Sequence, residues 1–473
     1  MQKNILTPKL PIISSSCILI IFIMTIISEW AKYTFAAVVA VLALIFFTLI
    51  EWKRLDTTAK LLASITASFT LILLYESKIT LEELSNICTS VAFFAFLLIA
   101  LGVLKNAALT SNSVHLTGLA LLEQKPTGRY AMLTTASHLL GILMSLGSIN
   151  LLGTMIEKGL SHNNKTIDPR IDQIRKQRMM IAVIRGFGSI PLWAPTTVTI
   201  AVLVTTIPGL QWTDVLPYGL YITFAMLIFG VWLDYIKAPR HLSHLVPIIT
   251  GNVSDLKVSF PLGIVVITLI FLSSALFIFT PLRPMTTVLI SAPIVSVAWI
   301  FMQFNRSHKK MTSVNLTILR FKRQIFHQLP TQRSEILFFS CSIAIGRLLL
   351  NVLDLDWIAV QLAYLNMSPS GILISASWLI ILSSFAFINP MISVTVVAGI
   401  LSQLPSVGPM PVTIALVMMV TWTVVIGLSP FTSSIRLGSK LIDVSTLQLG
   451  LEWNGWYSLI VLVVLDVFII VFV

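Results

Sequence analysis

The stretch Gly427-Leu428-Ser429-Pro430-Phe431-Thr432-Ser433-Ser434-Ile435 interrupts a long apolar segment with hydroxyl side chains and a proline. About sixteen mostly apolar residues precede it, from Val412, which is most of a membrane crossing at 1.5 Å per residue. A break inside hydrocarbon frees backbone groups, and each one left without a partner costs several kcal/mol. Such a break is tolerated inside protein or beside a water-filled cavity, so this stretch is a candidate binding site.

The composition around this stretch is that of a polytopic membrane protein. Of 473 residues, 56% are hydrophobic and only 11% are charged, whereas a soluble chain carries roughly 25% charged residues. The net charge of +12 comes from bases clustered in a few loops, which indicates membrane orientation and no nucleic-acid partner. No HExxH, GxSxG, P-loop or cysteine cluster occurs, so we expect neither an enzyme nor a cofactor beyond a possible coupling ion. A membrane enzyme or lipid-processing protein is the alternative, and no catalytic motif supports it.

Apolar segments of spanning length predict eleven transmembrane helices. They lie near residues 12–28, 35–51, 60–75, 87–105, 179–208, 215–236, 258–280, 284–303, 335–352, 411–437 and 453–473. Two further apolar stretches cover 130–157 and 371–403.

Loop charge predicts the orientation of these crossings. The loops 157–178 and 305–333 are strongly basic and belong in the cytoplasm, whereas 351–370 and 403–411 carry no Lys or Arg and belong outside. This places an integral, multi-pass protein in the plasma or inner membrane, with the N-terminus in the cytoplasm and the C-terminus outside.

When the crossings between these loops are counted, both extra stretches must enter and leave the membrane on one side, so we predict that they are re-entrant hairpins. The stretch 130–157 begins and ends on the cytoplasmic side, and 371–403 begins and ends outside. The alternative, 130–157 as one more spanning helix, would place a strongly basic loop outside the cell.

An internal repeat relates the two halves of the chain. Ala194-Pro195-Thr196-Thr197-Val198-Thr199-Ile200 aligns without a gap on Ser429–Ile435, and Ser148-Ile149-Asn150 in the first hairpin matches Phe387-Ile388-Asn389 in the second. Leu210-Gln211-Trp212 likewise matches Leu451-Glu452-Trp453. Because the halves enter the membrane from opposite sides, we predict an inverted-topology repeat with two broken helices, the pattern of secondary transporters.

The repeat predicts the domain organisation. A transmembrane helix at 1–34 precedes a first repeat at 35–240, with hairpin 130–157 and broken helix 179–208. A cytoplasmic linker at 241–257 leads to a second repeat at 258–473, with hairpin 371–403 and broken helix 411–437. Three amphipathic stretches, Asn106–Gln124, Thr312–Leu329 and Leu353–Met367, are expected to lie flat in the interface.

The breaks and hairpin tips supply the candidate binding chemistry. A half-helix that begins after a break presents N–H groups and partial positive charge to an anion, and free carbonyls suit Na⁺. The candidate substrate-binding residues are Ser148, Asn150, Pro195, Thr196, Thr197, Thr199, Asn389, Ser429, Pro430, Thr432, Ser433, Ser434, Arg185 and Arg436. Asn150 and Asn389 are also candidate Na⁺ ligands. The alternative is that these residues only cap broken helices.

Few ionisable residues fall inside the crossings. Arg185 and Arg436 flank the breaks and either bind substrate or extend to the cytoplasmic interface. His138, in the first hairpin, is interpreted as a packed histidine, and Asp466 is placed near the outer surface. With no carboxylate predicted beside the breaks, Na⁺ coupling is favoured over an Asp or Glu proton relay.

The combination of eleven crossings, two opposed hairpins and paired broken helices resembles the ion transporter superfamily, which includes divalent anion/sodium symporters, citrate transporters and arsenite permeases. The symporters carry Ser-Asn-Thr motifs at hairpin tips and breaks. This chain keeps Asn150 and Asn389 but not the full motif. The resemblance implies a homodimer with an elevator motion, in which hairpins and broken helices carry the substrate.

The sequence therefore predicts a secondary active transporter of a small anion, a carboxylate or another oxyanion, coupled to Na⁺. Its partners are the anionic substrate, membrane lipid and a second copy of the chain. The alternative on the same scaffold is a metalloid oxyanion efflux permease or a proton-linked antiporter.

Overall fold

The computed structural model describes residues 10–114, 116–117, 126–163, 169–237, 260–305, 310–404 and 410–473. Within these ranges the chain is helical and contains no strand, as predicted. The α-helices are α1 Leu10–Ala31, α2 Thr34–Glu51, α3 Thr57–Tyr75, α4 Leu81–Leu109, α5 Pro126–Met144, α6 Gly147–Asn163, α7 Pro169–Gly188, α8 Val198–Thr206, α9 Trp212–Lys237, α10 Phe260–Phe279, α11 Pro284–Asn305, α12 Lys310–Arg323, α13 Arg333–Val352, α14 Leu355–Tyr364, α15 Pro369–Phe385, α16 Pro390–Leu401, α17 Pro411–Leu428, α18 Ser433–Ile442 and α19 Gly455–Phe472. The predicted linker 241–257 and part of the stretch Asn106–Gln124 lie outside the described residues.

In the described part of the chain, ten helical segments are long and apolar enough to cross a membrane. They account for ten of the eleven predicted crossings. The exception is 179–208, because the break divides it into α7, whose first half is charged, and the short α8. The chain is a multi-pass integral membrane protein.

By its contacts the chain divides into two compact units that cut across the predicted repeats. Unit 1 comprises Met1–Ala108 and Val265–Asp354, and unit 2 comprises Leu109–Ile264 and Leu355–Val473. Each predicted repeat therefore contributes its first part to unit 1 and its hairpin and broken helix to unit 2. The domain boundaries drawn at the repeats do not coincide with the compact units.

Unit 1 combines helix packing with a fully buried carboxylate at the end of α2. Helix α1 packs on α2, and α13 packs on α3. At the end of α2, the fully buried Glu51 accepts a 2.6 Å hydrogen bond from Ser14 Oγ and lies 3.5 Å from Arg54 and from Arg333. A buried charge is tolerated in such surroundings when it is paired, so these cations stabilise the junction of α2 with α13.

The amphipathic helix α12 is shorter than the predicted stretch Thr312–Leu329. It ends at Arg323 and continues as a π turn and a 3₁₀ turn before α13. Within it, Arg320 donates a 2.9 Å hydrogen bond to Gln303 and lies over the ring of Phe304. Its aliphatic stem and guanidinium are thus directed toward α11.

Unit 2 contains both predicted hairpins and both predicted broken helices. Helices α5 and α6 form the first hairpin, and α15 and α16 form the second. The first broken helix is α7–α8, followed by α9, and the second is α17–α18, followed by α19. Both hairpins and both breaks therefore lie where the sequence predicted them.

The packing of unit 2 repeats in its two halves. Helix α5 packs on α7 as α15 packs on α17, and α9 contacts α5 and α7 as α19 contacts α15 and α17. The second limb of each hairpin packs on the half-helix of the opposite half: α6 packs on α18, and α16 packs on α8. This correspondence supports the predicted internal repeat.

The chain turns sharply before the second hairpin. Helix α14 is bent by 115° from α15, so the two do not form one continuous span. Ser368 caps α15 by accepting a hydrogen bond from Gly371 N. The bend agrees with the prediction that Leu353–Met367 runs along the interface.

Candidate functional site: two helix breaks and two hairpin tips

The two broken helices meet close to their breaks. Helix α7 packs on α17, and a Cβ added at Gly188 would lie 3.7 Å from both the Ile426 side chain and the Thr423 carbonyl oxygen. Gly188 ends α7, and Ile426 lies two residues before the end of α17. The freed backbone groups of both helices therefore gather in one region of unit 2.

At the second break, between α17 and α18, side chains of the protein donate hydrogen bonds to the carbonyls that the break frees. The Ile426 carbonyl accepts hydrogen bonds from Ser434 Oγ (2.6 Å) and Thr432 Oγ1 (3.3 Å). The Gly427 carbonyl accepts one from Asn454 Nδ2 at 2.9 Å. These bonds satisfy acceptors that the interrupted helix would otherwise leave buried and unpaired.

The first break, between α7 and α8, is satisfied in a similar way. The Trp193 carbonyl accepts a 2.7 Å bond from Trp212 Nε1, and the Ser189 carbonyl accepts a 3.4 Å bond from Thr223 Oγ1. Trp212 and Thr223 both lie on α9. The helix after the break thus holds the broken segment in place.

One geometry is shared by both breaks. Thr197 and Thr432 precede α8 and α18, and their hydroxyls donate 2.9 Å hydrogen bonds to the carbonyls of Ala194 and Ser429, three residues back. Their N–H groups donate to the same carbonyls at 3.1 and 3.2 Å. A threonine at this position ordinarily accepts from the first helical turn. Here neither hydroxyl caps its half-helix, so the first-turn N–H groups keep their capacity for a ligand.

The breaks are tied to the hairpins by matching bonds. Thr196 Oγ1 donates to the Ile142 carbonyl near the end of α5 (3.3 Å), and Ser429 Oγ donates to the Ser384 carbonyl near the end of α15 (3.0 Å). Each bond joins a break to the first limb of the hairpin in the same half. A break and its hairpin are therefore coupled mechanically.

Two glycines allow the following segment to approach each break. A Cβ at Gly219 of α9 would overlap the Leu192 carbonyl oxygen, and a Cβ at Gly450 would overlap the Leu428 carbonyl oxygen. Only glycine permits backbone contact this close. Each break is therefore closely approached by the segment that follows it, although the two glycines do not align with each other in the repeat.

The hairpin tips differ from the predicted alignment. The turning residues with positive φ are Ser145 in the first hairpin and Phe387 in the second. Asn389 follows its turning residue by two positions and caps α16, with Oδ1 accepting from Met391 N at 3.1 Å. Asn150 follows by five positions and is the fourth residue of α6. Measured from its turn, Asn150 lies three residues further along than Asn389 does. The sequence match that paired them as tip residues is therefore wrong by three residues, because the first hairpin turns earlier than the match implied.

The predicted site residues separate into a buried and an accessible group. Those buried among protein atoms are Ser148, Pro195, Thr196, Thr199, Ser429, Pro430 and Ser434. Those exposed or half-buried are Asn150, Thr197, Asn389, Thr432, Ser433 and Arg436. Ser148 lies at the turn of the first hairpin, the other buried residues shape the breaks, and the accessible group is available to a ligand.

The second break carries an aromatic contact with its hairpin. The rings of Phe387 and Phe431 lie with centroids 3.8 Å apart, and both side chains are exposed. Ser433 and Arg436 follow on the exposed face of α18. The start of α18 therefore combines uncapped N–H groups with an accessible hydroxyl and a cation.

Arg185 lies apart from this accessible group. It is only 9% exposed and donates through Nε to Asn454 Oδ1 (2.8 Å) and through Nη1 to the Tyr130 hydroxyl (2.9 Å). Its guanidinium also lies 4.1 Å from the centroid of the Tyr457 ring. Arg185 therefore does not extend to the interface, unlike the alternative considered from the sequence.

His138 is packed, as interpreted from the sequence. Nδ1 lies 2.8 Å from Ser189 Oγ and 3.2 Å from the Gly186 carbonyl, while Nε2 accepts a 3.0 Å bond from Trp193 Nε1. Both ring nitrogens are engaged with the first break. The residue is a structural link between α5 and that break.

Asp466 lies on the apolar helix α19 beside the second hairpin. Its Oδ2 accepts a 3.1 Å hydrogen bond from Nε1 of Trp378, which is midway along α15. The sequence placed Asp466 only by its distance from the C-terminus, and the contact with α15 was not foreseen.

The candidate Na⁺ ligands are neutral amide oxygens. In the described ranges no group of three or more His, Cys, Asp or Glu side chains could hold a metal ion. Asn150 and Asn389 supply amide oxygens on different hairpins, and that of Asn389 already accepts the cap bond. Na⁺ binding at these residues stays a prediction.

Several residues that hold Arg185 and the first break were missed from the sequence. Asn454, Tyr130 and Tyr457 surround Arg185, and Trp193 and Trp212 hold the first break. The available signal was Asn454 itself, a polar residue at the start of a strongly apolar crossing. Its partners were hidden because they lie far away along the chain.

No protein-family model matches the chain, and no curated protein matches it. Among solved structures, the chain is similar to the YdaH transporter of Alcanivorax borkumensis, which is described as having an unusual topology. The two are 15% identical, the match covers 81% of this chain and 87% of that chain, and the TM-score is 0.48.

Proposed function

We propose that the protein is a secondary active transporter of a small anion, a carboxylate or another oxyanion. The observation that carries this proposal is the shared geometry of Thr197 and Thr432, whose hydroxyls are directed backward and leave two half-helices uncapped. A helix N-terminus has unpaired N–H donors and about half a positive charge, so it favours an anion.

The second half-helix offers the stronger anion site. Ser433 and Arg436 are exposed on α18, at its first position and one turn along, beside the uncapped N–H groups. A hydroxyl, a guanidinium and backbone donors together suit a carboxylate or another oxyanion. The site is therefore proposed at the second break, with Thr197 and α8 contributing from the first.

We propose an elevator-type mechanism, in which unit 2 carries the substrate. Unit 2 holds both hairpins and both broken helices, and the breaks are bonded to the hairpins through Thr196 and Ser429. A bound anion would then move with an internally bonded body. The resemblance to the ion transporter superfamily further implies a homodimer, which sedimentation of the purified protein would test.

Na⁺ is proposed as the coupling ion, with Asn150 and Asn389 as its candidate ligands. The proposed location is the plasma or inner membrane, with the N-terminus in the cytoplasm and the C-terminus outside, on the evidence of the loop charges. Uptake of a panel of radiolabelled carboxylates and oxyanions into proteoliposomes, with Na⁺ and pH gradients imposed separately, tests substrate and coupling together. Uptake that responds only to the pH gradient would favour the proton-linked alternative over Na⁺.

The variants Thr197→Asp and Thr432→Asp test the anion site directly. Aspartate is a preferred N-cap, and its bond to the first helical turn offsets the threonine bond to Ala194 or Ser429 that each variant loses. Its carboxylate would occupy the first-turn N–H groups and repel an anion, so we expect transport to be lost. Ser368→Asp is the matched control for an added carboxylate, because Ser368 is exposed, lies outside the proposed site and already caps α15. Undiminished anion transport in the Thr197→Asp, Thr432→Asp double variant would refute the assignment.

A further inference from the structure

Unit 2 contains a polar cavity that is separate from the accessible residues at the breaks. It has a volume of about 320 Å³. One wall is a single face of α7, and the others come from α9, from Tyr130 of α5 and from Glu452–Trp453 before α19. Apolar side chains of Ile181 and Leu233 complete the lining.

The charges of this cavity do not balance. Arg178 and Asp234 form a bidentate pair, with Nε–Oδ1 2.9 Å and Nη2–Oδ2 2.7 Å, and so neutralise each other. Lys237 and Glu452 are exposed residues of opposite charge. Arg185 remains, and its partners among the described residues are all neutral.

Burying a cation without an anion is costly even when its N–H groups are hydrogen-bonded. The Arg185 side chain uses Nε and Nη1 for Asn454 and Tyr130. A guanidinium has five N–H donors in a planar fork, so the Nη2 donors are available for the carboxylate or phosphate geometry that this fork matches. The cavity thus has a buried cation and unused donors on its wall.

Arg185 is also linked to the second break. Asn454 accepts from Arg185 through Oδ1 and donates through Nδ2 to the Gly427 carbonyl, a group freed by the break. A ligand that draws the guanidinium toward the cavity would lengthen the Arg185–Asn454 bond. The Gly427 carbonyl would then lose its well-oriented donor.

This arrangement is absent from the other half of the repeat. In the gapless alignment of the breaks, Val420 occupies the position of Arg185, and in the alignment of the following crossings Thr213 occupies that of Asn454. Thr197 and Thr432, which begin the two half-helices, are paired across the halves, whereas Arg185 and Asn454 are not. The cavity at Arg185 therefore does not belong to the geometry that the two breaks share.

We propose that this cavity binds the oxyanion group of a second ligand at Arg185, and that binding is transmitted through Asn454 to the second break. The shared chemistry is a carboxylate or phosphate, which a soluble metabolite or a lipid headgroup can provide. The proposal does not require the transported substrate to be an anion, so it can succeed or fail independently of the proposed function.

Binding is measured on the full-length, delipidated protein in detergent, with inorganic phosphate and short-chain phosphatidic acid as the two probes and chloride at equal ionic strength as the reference. We expect a saturable rise in Tm with at least one probe. Saturation by inorganic phosphate assigns a soluble ligand, and saturation by phosphatidic acid alone assigns a lipid. The absence of a saturable rise with both probes overturns the proposal.

Charge variants give the sharper test, because their effects have opposite signs. Arg185→Gln should weaken binding at least about tenfold, as expected for loss of a charge-assisted bond. Lys237→Gln should weaken it, and Glu452→Gln should tighten it, by roughly 1.5- to 5-fold, since both are exposed. Arg323→Gln, which changes an exposed arginine of unit 1, is the matched control.

The variants at the exposed residues Lys237 and Glu452 keep the test valid if Arg185→Gln does not fold. Equal affinities in Lys237→Gln, Glu452→Gln and the control would overturn the assignment.

The link to the break is tested by amide hydrogen exchange of residues 425–432. The bound probe should change exchange there in the parent protein and leave it unchanged in Asn454→Ala, which retains the cavity cation. An identical response in both proteins would overturn the role of Asn454.

Discussion

Nε1 of Trp193 donates a 3.0 Å hydrogen bond to Nε2 of His138. Because an indole N–H can only donate, Nε2 must be the unprotonated nitrogen, and the proton lies on Nδ1, facing Ser189 Oγ and the Gly186 carbonyl. A second proton on the ring would break the bond with Trp193. His138 is thus fixed as a neutral link between α5 and the first break.

The first prediction concerns this link. Trp193→Phe should lower the free energy of unfolding by about 1–3 kcal/mol, because it leaves Nε2 buried without a donor. Thermal denaturation in detergent measures the loss. His138→Gln should likewise lower Tm while leaving the pH profile of transport unshifted. A stable His138→Gln variant with an altered pH profile would instead identify His138 as a proton carrier.

The second prediction concerns the close approach at each break. Gly219→Ala and Gly450→Ala place a Cβ against the carbonyl oxygens of Leu192 and Leu428. Since backbone must move to relieve the overlap, we expect each to destabilise the protein by about 1–3 kcal/mol. Gly263→Ala is the control, because nothing lies within 4 Å of its added Cβ and alanine is the better helix former. Similar melting temperatures for all three variants would contradict the close packing.

The third prediction concerns the pair Arg178–Asp234. The two residues are partly buried and bonded bidentately, so Arg178→Gln or Asp234→Asn alone should cost roughly 1–3 kcal/mol. The double variant should cost less than the sum of the single variants, since neither residue is left unpaired. A double-variant cycle on Tm measures this coupling, and strict additivity would show that the pair does not hold α7 to α9.

The fourth prediction concerns membrane orientation. A cysteine introduced by Asp356→Cys should react with a membrane-impermeant thiol reagent added outside intact cells. One introduced by Arg170→Cys should react only after the membrane is opened. The native Cys17 and Cys341 are buried and Cys88 is half-buried, so a parent sample establishes their background. The reverse labelling pattern would invert the topology derived from the loop charges.

Most of the architecture could be predicted because it follows from local properties of the chain. Apolar length predicts a crossing, and a proline with adjacent hydroxyls predicts a break, so α17, Pro430 and α18 were predictable from their own residues. The positions of the hairpin turns were harder to predict from the sequence. The first turn falls at Ser145 and not near Asn150, because the turn depends on which residue adopts positive φ.

The sequence by itself determined the helical membrane class, the order of hairpins and breaks, and the hydroxyl-rich character of both breaks, since these depend on residue polarity along the chain. Only the tertiary structure decided which donor satisfies each freed carbonyl, because those partners come from distant segments, as Asn454 does for Gly427. It also turned Thr197 and Thr432 away from their half-helices and enclosed Arg185 among neutral groups. Side-chain direction depends on packing, and packing is a property of the folded chain.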